Sequence, residues 1–350
     1  MGSDLIHDQE LWFTDGSIVL LAEKTLFRVY AGILSRASPI FRDMFAIGQV
    51  HNAEETYEGC PLVVMAGDNA NDMRAFLEAL HDPRSFQMNS PKPTDIPHIV
   101  SVLRVSTKYD AIHLRRRAIE ALQTWYGDSL SAYQQGLEVL RSWSNTSPPV
   151  PSPIISRKDF FYNILVANVA IEASATVPLP AALLLCCVSA QDFRVPYDGV
   201  TNSDGILYEL VPEAKRSIFI GRPVLENIAL VRKSIRNFKS TQDCKSPGIC
   251  GDFCRMVASK HETRGSLFLD PFFPFFRLNR KVISGQSCEA CRSGWEASNK
   301  RETEILWRDL PLIFDLPPWD VLQSASNEDC HEVPTAGLPV PATAVLDLVM

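Results

Sequence analysis

The sequence predicts an α+β fold, in which a small sheet flanked by helices precedes a mainly helical C-terminal region. Two β-rich runs, residues 17–21 and 25–30, are separated by a short polar turn, which is typical of a hairpin. A third apolar run, "PLVVMAGD" at 61–68, follows a polar loop and predicts a further strand. After it the apolar residues recur mostly at helical spacing, so the strands are confined to the first part of the chain.

Helix start signals follow the hairpin and the third strand. Ser38 is a good N-cap, and Pro39 suits the first helical position because its missing N–H costs nothing there. Phe41 begins an apolar face that continues at i+3 and i+4. The segment 69–80 predicts a second amphipathic helix, capped at Asn69 or Asn71. Two more striped helices are expected between residues 98 and 127.

The remainder of the chain predicts helices joined by proline-rich loops. Helical patterns cover about 131–143 and 157–174, and another stripe begins just inside Pro223. The last strong segment starts near residue 305 and is followed by "LPPWDVL". These patterns predict a sheet-containing domain at 10–127, a helical region at 128–322 and a loose tail at 323–350.

Composition limits the classes of function. The 350 residues are 46% hydrophobic and 21% charged, as in ordinary globular proteins, and allow two domains. The formal net charge of -7 argues against a general nucleic-acid surface, so no direct nucleic-acid contact is expected. The basic run at 115–117 is interpreted as a solvated helix face.

Compartment signals point to an intracellular protein of the nucleus or cytoplasm. The first residues lack the charged and apolar parts of a secretory signal. The apolar stretch 177–190 is too short and too interrupted by proline to span a bilayer, so no membrane association is expected. The nine cysteines are therefore expected to be reduced thiols or metal ligands.

Four separated segments, in this order, resemble a BTB/POZ domain over residues 10–127. They are "DGSIVLLAEKTLFRVYAGILSRASPIFRDMF", "PLVVMAGD", "RAFLEALHDP" and "VSVLRVSTKYDAIHLRRRAIEAL". Tyr30 departs from the family, which usually has a histidine after the second strand, and the proline-rich insert at 83–97 is longer than in many members. The inserted form is similar to the BTB proteins numerous in mushroom-forming fungi. "PLPAALLLCC" and "ILWRDLPLIFDLPPWDVL" extend that resemblance to about residue 322.

The resemblance implies a homodimer formed by the N-terminal strands and first helices. Trp12, Phe13 and Phe41 are the candidate interface residues, although aromatic side chains serve cores as often as interfaces. The implied function is nonenzymatic: protein binding and homodimerisation as a scaffold or transcription-complex component.

Two alternatives stay open at this stage. The first is a substrate adaptor of a cullin-RING ubiquitin ligase, whose cullin surface would lie at 73–89. There Phe86 lacks the acidic residue two positions later that such loops often carry. The second is an unrecognised enzyme in the helical half, although no Walker-type or dinucleotide-type glycine loop is present.

Four cysteines in the C-terminal half predict a structural zinc site. Cys244 and Cys250 surround a Pro–Gly turn, and Cys288 and Cys291 have the two-residue spacing that presents both sulfurs to one ion. Cys254 could replace Cys244, since it lies four residues after Cys250 on a predicted helix. The alternatives are reduced thiols packed among helices, or two disulfides if the cell oxidised them.

Overall fold

The structure, a computed structural model, describes residues 5–51, 56–82, 95–143, 160–188, 194–233, 240–263, 272 and 287–327. They divide into two compact units. The first contains the described residues up to Thr124, close to the predicted boundary at 127, together with Val169–Ala175 and Asn327. The second contains the described residues of 125–168 and of 176–326. The mixed α+β class, mostly helical with a small N-terminal sheet, is confirmed.

The first unit contains a five-stranded sheet with the order β1-β3-β2-β5-β4. Its strands are β1 (Ile6–Trp12), β2 (Ile18–Ala22), β3 (Thr25–Val29), β4 (Thr56–Tyr57) and β5 (Cys60–Val64). β2 and β3 form the predicted hairpin, with Ile18 opposite Val29, and β5 runs parallel to β2.

Two strands lie where no strand was predicted. β1 has a polar sequence without alternation, and it pairs in parallel with β3 through an irregular register between His7 and Trp12. β4 is two residues long, which is too short for a periodic pattern. Although β1 and β4 are the outer strands of the sheet, His7 Nε2 lies 2.9 Å from the Tyr57 hydroxyl. The sheet is therefore curved enough for side chains of its two outer strands to make contact.

Five helices complete most of the first unit, and both predicted caps are confirmed. The backbone N–H of Phe41 donates to Ser38 Oγ at 3.1 Å. Asn69 Oδ1 accepts from the N–H groups of Asn71 and Asp72. The helices are α1 (Ala31–Ala37), α2 (Pro39–His51), α3 (Ala70–His81), α4 (Ile96–Lys108) and α5 (Ile112–Gln123).

The core of the first unit forms where the hairpin meets these helices. Leu20 and Phe27 of the sheet, and Phe76 and Leu103 of the helices, have no exposed surface. Each such side chain stabilises the fold by about 1.5–3 kcal/mol relative to an exposed one.

Arg115 corrects the interpretation of the basic run as a solvated face. Its side chain is buried, and Nη2 donates to the carbonyl oxygen of Ala173 at 3.0 Å. Ala173 belongs to the segment that joins the first unit from far along the chain. A sequence pattern does not reveal such a distant acceptor.

The second unit is mainly helical. Its helices are α6 (Leu130–Trp143), most of α7 (Phe161–Glu172), α8 (Leu179–Val188), α9 (Val195–Asp198), α10 (Pro212–Lys233), α11 (Pro247–Thr263), α12 (Glu289–Ile313) and α13 (Trp319–Asn327). A small hairpin, β6 (Val200–Thr201) with β7 (Leu207–Tyr208), was not predicted. All ten residues of α8 are buried. Among the described residues, no helix has the length and apolar character needed to cross a membrane.

Two expected boundaries in the second unit are wrong. α10 does not begin at Pro223 but runs through it. Pro223 and Phe219 are exposed, so water can reach the Phe219 carbonyl that Pro223 leaves without a donor. The first residues of the predicted tail are helical in α13, where Gln323 donates to Asp128 Oδ2 at 3.0 Å. The rest of that tail, 328–350, lies outside the described residues.

Candidate metal centre

The four predicted cysteine ligands converge between α11 and α12 in the second unit. Cys244 lies in the turn before α11, and Cys250 lies in the first turn of that helix. Cys288 is the N-cap residue of α12, and Cys291 lies in its first turn. Each pair thus occupies the start of a helix, where the backbone turns enough to bring two nearby side chains together.

The sulfur atoms are close enough to bind one metal ion. All four lie within 4.8 Å of one another. Cys244 Sγ and Cys288 Sγ are 3.9 Å apart. A tetrahedral zinc ion with Zn–S bonds of about 2.3 Å would place its sulfurs roughly 3.8 Å apart. Small rotations of these side chains would therefore complete a tetrahedral set.

Backbone donors already point at two of the sulfurs. The N–H of Cys288 donates to Cys250 Sγ at 3.2 Å, and the N–H of Thr241 donates to Cys291 Sγ at 3.4 Å. The segment before α11 forms a turn, in which the N–H of Cys244 donates to the carbonyl oxygen of Thr241 at 3.1 Å. Such N–H groups stabilise thiolates, the form in which cysteine binds a metal.

The protonation of the four thiols is not uniform. Hydrogen bonds from the backbone N–H groups of Cys291 and Lys245 lower the pKa of Cys288 to about 6. Desolvation raises the pKa of Cys244 to about 12 and also raises the pKa of Cys250. Four thiolates so close together repel one another. A bound cation would therefore be needed to stabilise all four cysteines in the deprotonated form.

An apolar shell surrounds the cysteines. Phe253 and Trp295 stack with ring centroids 5.6 Å apart, and both side chains are buried beside the cysteines. Cys250 and Cys291 have no exposed surface, whereas Cys244 and Cys288 are half-buried. The shell limits access of water to the sulfurs, and Trp295 provides a fluorescent reporter next to them.

The other cysteines in the described part of the chain do not join this group. Cys254 is buried against the cluster, but it is not among the four whose sulfurs lie within 4.8 Å. Burial raises its pKa. Cys186 and Cys187 are buried in α8, and burial raises the pKa of Cys187 to about 12. The structure therefore selects Cys244 over Cys254 as the fourth candidate ligand.

The three candidate interface residues of the first unit have different environments. Trp12 is half-buried and stacks on His7 with ring centroids 3.8 Å apart. Phe13 is half-buried and stacks on Tyr30 and His81. Phe41 has no exposed surface and stacks on Tyr109 at 4.4 Å. Phe41 is therefore a core residue of its own chain and offers no surface to a partner, in contrast to the interface assignment.

Sequence reasoning missed the exposed aliphatic residues near these aromatics. The most exposed are Ile6 on β1 and Ile47 on α2, at 64% and 62%, and Ile40 on α2 is 40% exposed. Ile40 and Ile47 lie two helical turns apart and therefore share one face of α2. Their seven-residue spacing could have revealed this face. However, the apolar pattern that begins at Phe41, one residue after Ile40, is stronger and predicts a different face of the same helix.

The described residues also contain a cleft of about 380 Å³ at the C-terminal ends of β2 and β5. Its two carboxylates are already engaged by the protein. Glu23 accepts the backbone N–H of Ala70 at the start of α3. Asp68 accepts from Lys108 Nζ at 2.6 Å and from the Tyr109 hydroxyl at 2.5 Å. These contacts give both acids a structural role.

No family model, curated protein or solved structure was found to match this chain.

Proposed function

We propose that this chain is a nonenzymatic protein-interaction module of the BTB/POZ type, which forms a homodimer through its first unit. The sheet order supports the resemblance: a β2–β3 hairpin with β5 parallel to β2, followed by helices α3 to α5 in one unit. Glu23 and Asp68 in the cleft bond groups of their own chain, which supports a structural role for these two acids.

The exposed isoleucine face of the first two helices carries the dimer proposal. Ile40 and Ile47 line one side of α2, with the half-buried Met44 between them. α1 packs against α2 and adds Ile33, which is 38% exposed. On the outer strand β1, Ile6 is also exposed. Exposed apolar side chains on elements from the start of one domain can form an interface between copies, where each buried aliphatic side chain stabilises the contact.

Light scattering of the full chain tests self-association. We expect a dimer at tens of micromolar, and Ile40→Asp combined with Ile47→Asp should yield a monomer that keeps the helical circular dichroism of the wild type, although it loses the stabilisation that dimerisation provides. Phe219→Asp is the matched control, since Phe219 is 70% exposed on α10 in the second unit. A wild-type monomer at that concentration, or equal dissociation of the control, contradicts the proposal.

The adaptor role remains the alternative to a scaffold. Its expected cullin surface, 73–89, is described only to residue 82, and Met73 at its start is fully buried. Mixing the purified chain with a cullin N-terminal fragment on a sizing column separates the two roles. A shared peak supports the adaptor, and separate peaks support the scaffold.

We also propose that Cys244, Cys250, Cys288 and Cys291 hold one structural zinc ion. Four protein ligands close a tetrahedral site and leave no position for a substrate, as in structural zinc centres. The donors are all sulfur, which favours zinc over magnesium or calcium. The ion would join the start of α11 to the start of α12.

Elemental analysis of protein purified without a chelator or a histidine tag tests the centre. We expect about one zinc per chain in the wild type and in the Cys254→Ser control, and much less in Cys288→Ser. Cys288→Ser and treatment with a chelator should both lower the melting temperature. Less than about a tenth of a zinc per wild-type chain, with no effect of Cys288→Ser on melting, contradicts the proposal.

A further inference from the structure

Thr241 makes two contacts with one sulfur of the candidate centre. Its backbone N–H lies 3.4 Å from Cys291 Sγ, and its hydroxyl oxygen lies 3.5 Å from the same atom. The two residues are 50 positions apart in sequence, so the contact depends on the packing of the 240–244 turn against α12. Cys291 is thus the ligand with both a backbone and a side-chain partner from Thr241.

The direction of the hydroxyl contact follows from the chemistry of the ligand. A metal-bound cysteine is a thiolate, which has no proton to donate, so the Thr241 hydroxyl must donate to it. Two donors on one thiolate restrict the orientation of the sulfur and stabilise its negative charge. Contacts of this kind orient metal ligands and raise the affinity of the site.

Because Gly294 has no side chain, Thr241 can occupy the space beside it. A Cβ atom at position 294 would lie 2.6 Å from the Thr241 methyl carbon, well inside contact distance. Gly294 follows Cys291 by three residues on α12, so both lie on the same face of the helix. Because threonine is branched at Cβ, its methyl cannot move without turning the hydroxyl as well.

We propose that Thr241, seated against Gly294, is a positioning residue that orients Cys291 toward the metal. This inference rests on the proposed zinc centre. The hydroxyl supplies the second donor to the sulfur, and the missing side chain at 294 permits the rotamer that places it there.

A pair of Thr241 variants separates the hydroxyl from the shape of the side chain. Thr241→Val keeps the shape and loses the donor, whereas Thr241→Ser keeps the donor and loses the methyl. In titrations of the full chain with zinc and a competing chelator, Thr241→Val should lose on the order of tenfold in affinity. Thr241→Ser should stay close to the wild type. With cobalt(II) as a probe, the thiolate charge-transfer band should shift in Thr241→Val and not in Thr241→Ser.

A double variant tests the role of Gly294. Gly294→Ala should weaken zinc binding in the wild-type background, because the new methyl displaces Thr241. In the Thr241→Ser background the obstructing methyl is absent, so Gly294→Ala should have little effect. An equal loss in both backgrounds, or an unchanged Thr241→Val, overturns the inference. A wild-type chain that binds neither zinc nor cobalt overturns the centre itself, so the two failures are distinguishable.

Discussion

Arg74 on α3 forms an ion pair with Asp8 on β1, and the Asp8 carboxylate is fully buried. Asp8 Oδ1 also accepts the backbone N–H groups of Glu10 and Leu11, at 3.1 and 3.0 Å. The buried charge is therefore compensated by one guanidinium and two backbone donors. This ion pair connects β1, whose sequence is polar, to α3.

Removing the cation should loosen β1. Arg74→Met leaves the Asp8 charge buried with only its backbone donors, which should cost about 2 kcal/mol in urea unfolding. The double variant, in which Asp8→Asn is added to Arg74→Met, removes the buried charge and should regain part of the lost stability. Amide hydrogen exchange in β1 should accelerate in the single variant. Equal destabilisation of the single and double variants would show that the ion pair does not hold the strand.

The core position of Phe41 gives a second prediction. Phe41→Ala should lower the free energy of unfolding by about 3–5 kcal/mol, because the ring leaves a cavity against Tyr109. Val64 on β5 is 56% exposed, and Val64→Ala should cost much less. Urea denaturation followed by circular dichroism compares the two. Similar losses in both variants would contradict the placement of Phe41 in the core.

The buried arginine of α5 gives a third prediction. Arg115→Met removes the donor to the Ala173 carbonyl and should cost about 1.5–3 kcal/mol, the range for hydrogen bonds to charged groups. Arg116 is exposed on the next position of the helix, and Arg116→Met should stay within about 0.5 kcal/mol of the wild type. Thermal melts of the two variants measure the difference. Equal, small losses in the two variants would indicate that the run is a uniformly solvated face.

The pH dependence of stability should reflect His81. Burial lowers the pKa of His81 below that of a free imidazole, although its contact with the Leu77 carbonyl acts in the opposite direction. As the pH falls below about 6.5, the unfolded state takes up the proton first, so folding stability decreases. His81→Phe should therefore lose less stability than the wild type between about pH 7.5 and pH 5.5.

A matched comparison uses His113, which is exposed on α5. His113→Gln should retain the wild-type decrease in melting temperature on acidification. If His81→Phe shows the same decrease as the wild type and His113→Gln, then His81 does not contribute to the pH dependence.

The features that were predicted correctly from the sequence arise from interactions between residues close together in the chain. Ser38 and Asn69 cap helices through contacts with N–H groups two or three residues ahead, which a sequence displays directly. The hairpin follows from two β-rich runs and a short turn. Cys288 and Cys291 follow from their spacing within one turn, and Cys244 and Cys250 follow from the Pro–Gly pair between them. All four cysteines could therefore be proposed as ligands before their distances were known.

The remaining features depend on contacts between distant segments. β1 is a strand because β3 lies beside it and Arg74 neutralises Asp8, although its own sequence has no strand pattern. Arg115 is tolerated in a buried position because the Ala173 carbonyl, 58 residues later, accepts a hydrogen bond from it. The sequence by itself determined most of the helices, the hairpin and the set of candidate ligands. Only the tertiary structure chose Cys244 over Cys254, placed Phe41 in the core and brought Thr241 to Cys291, because each of these depends on packing between segments far apart in the chain.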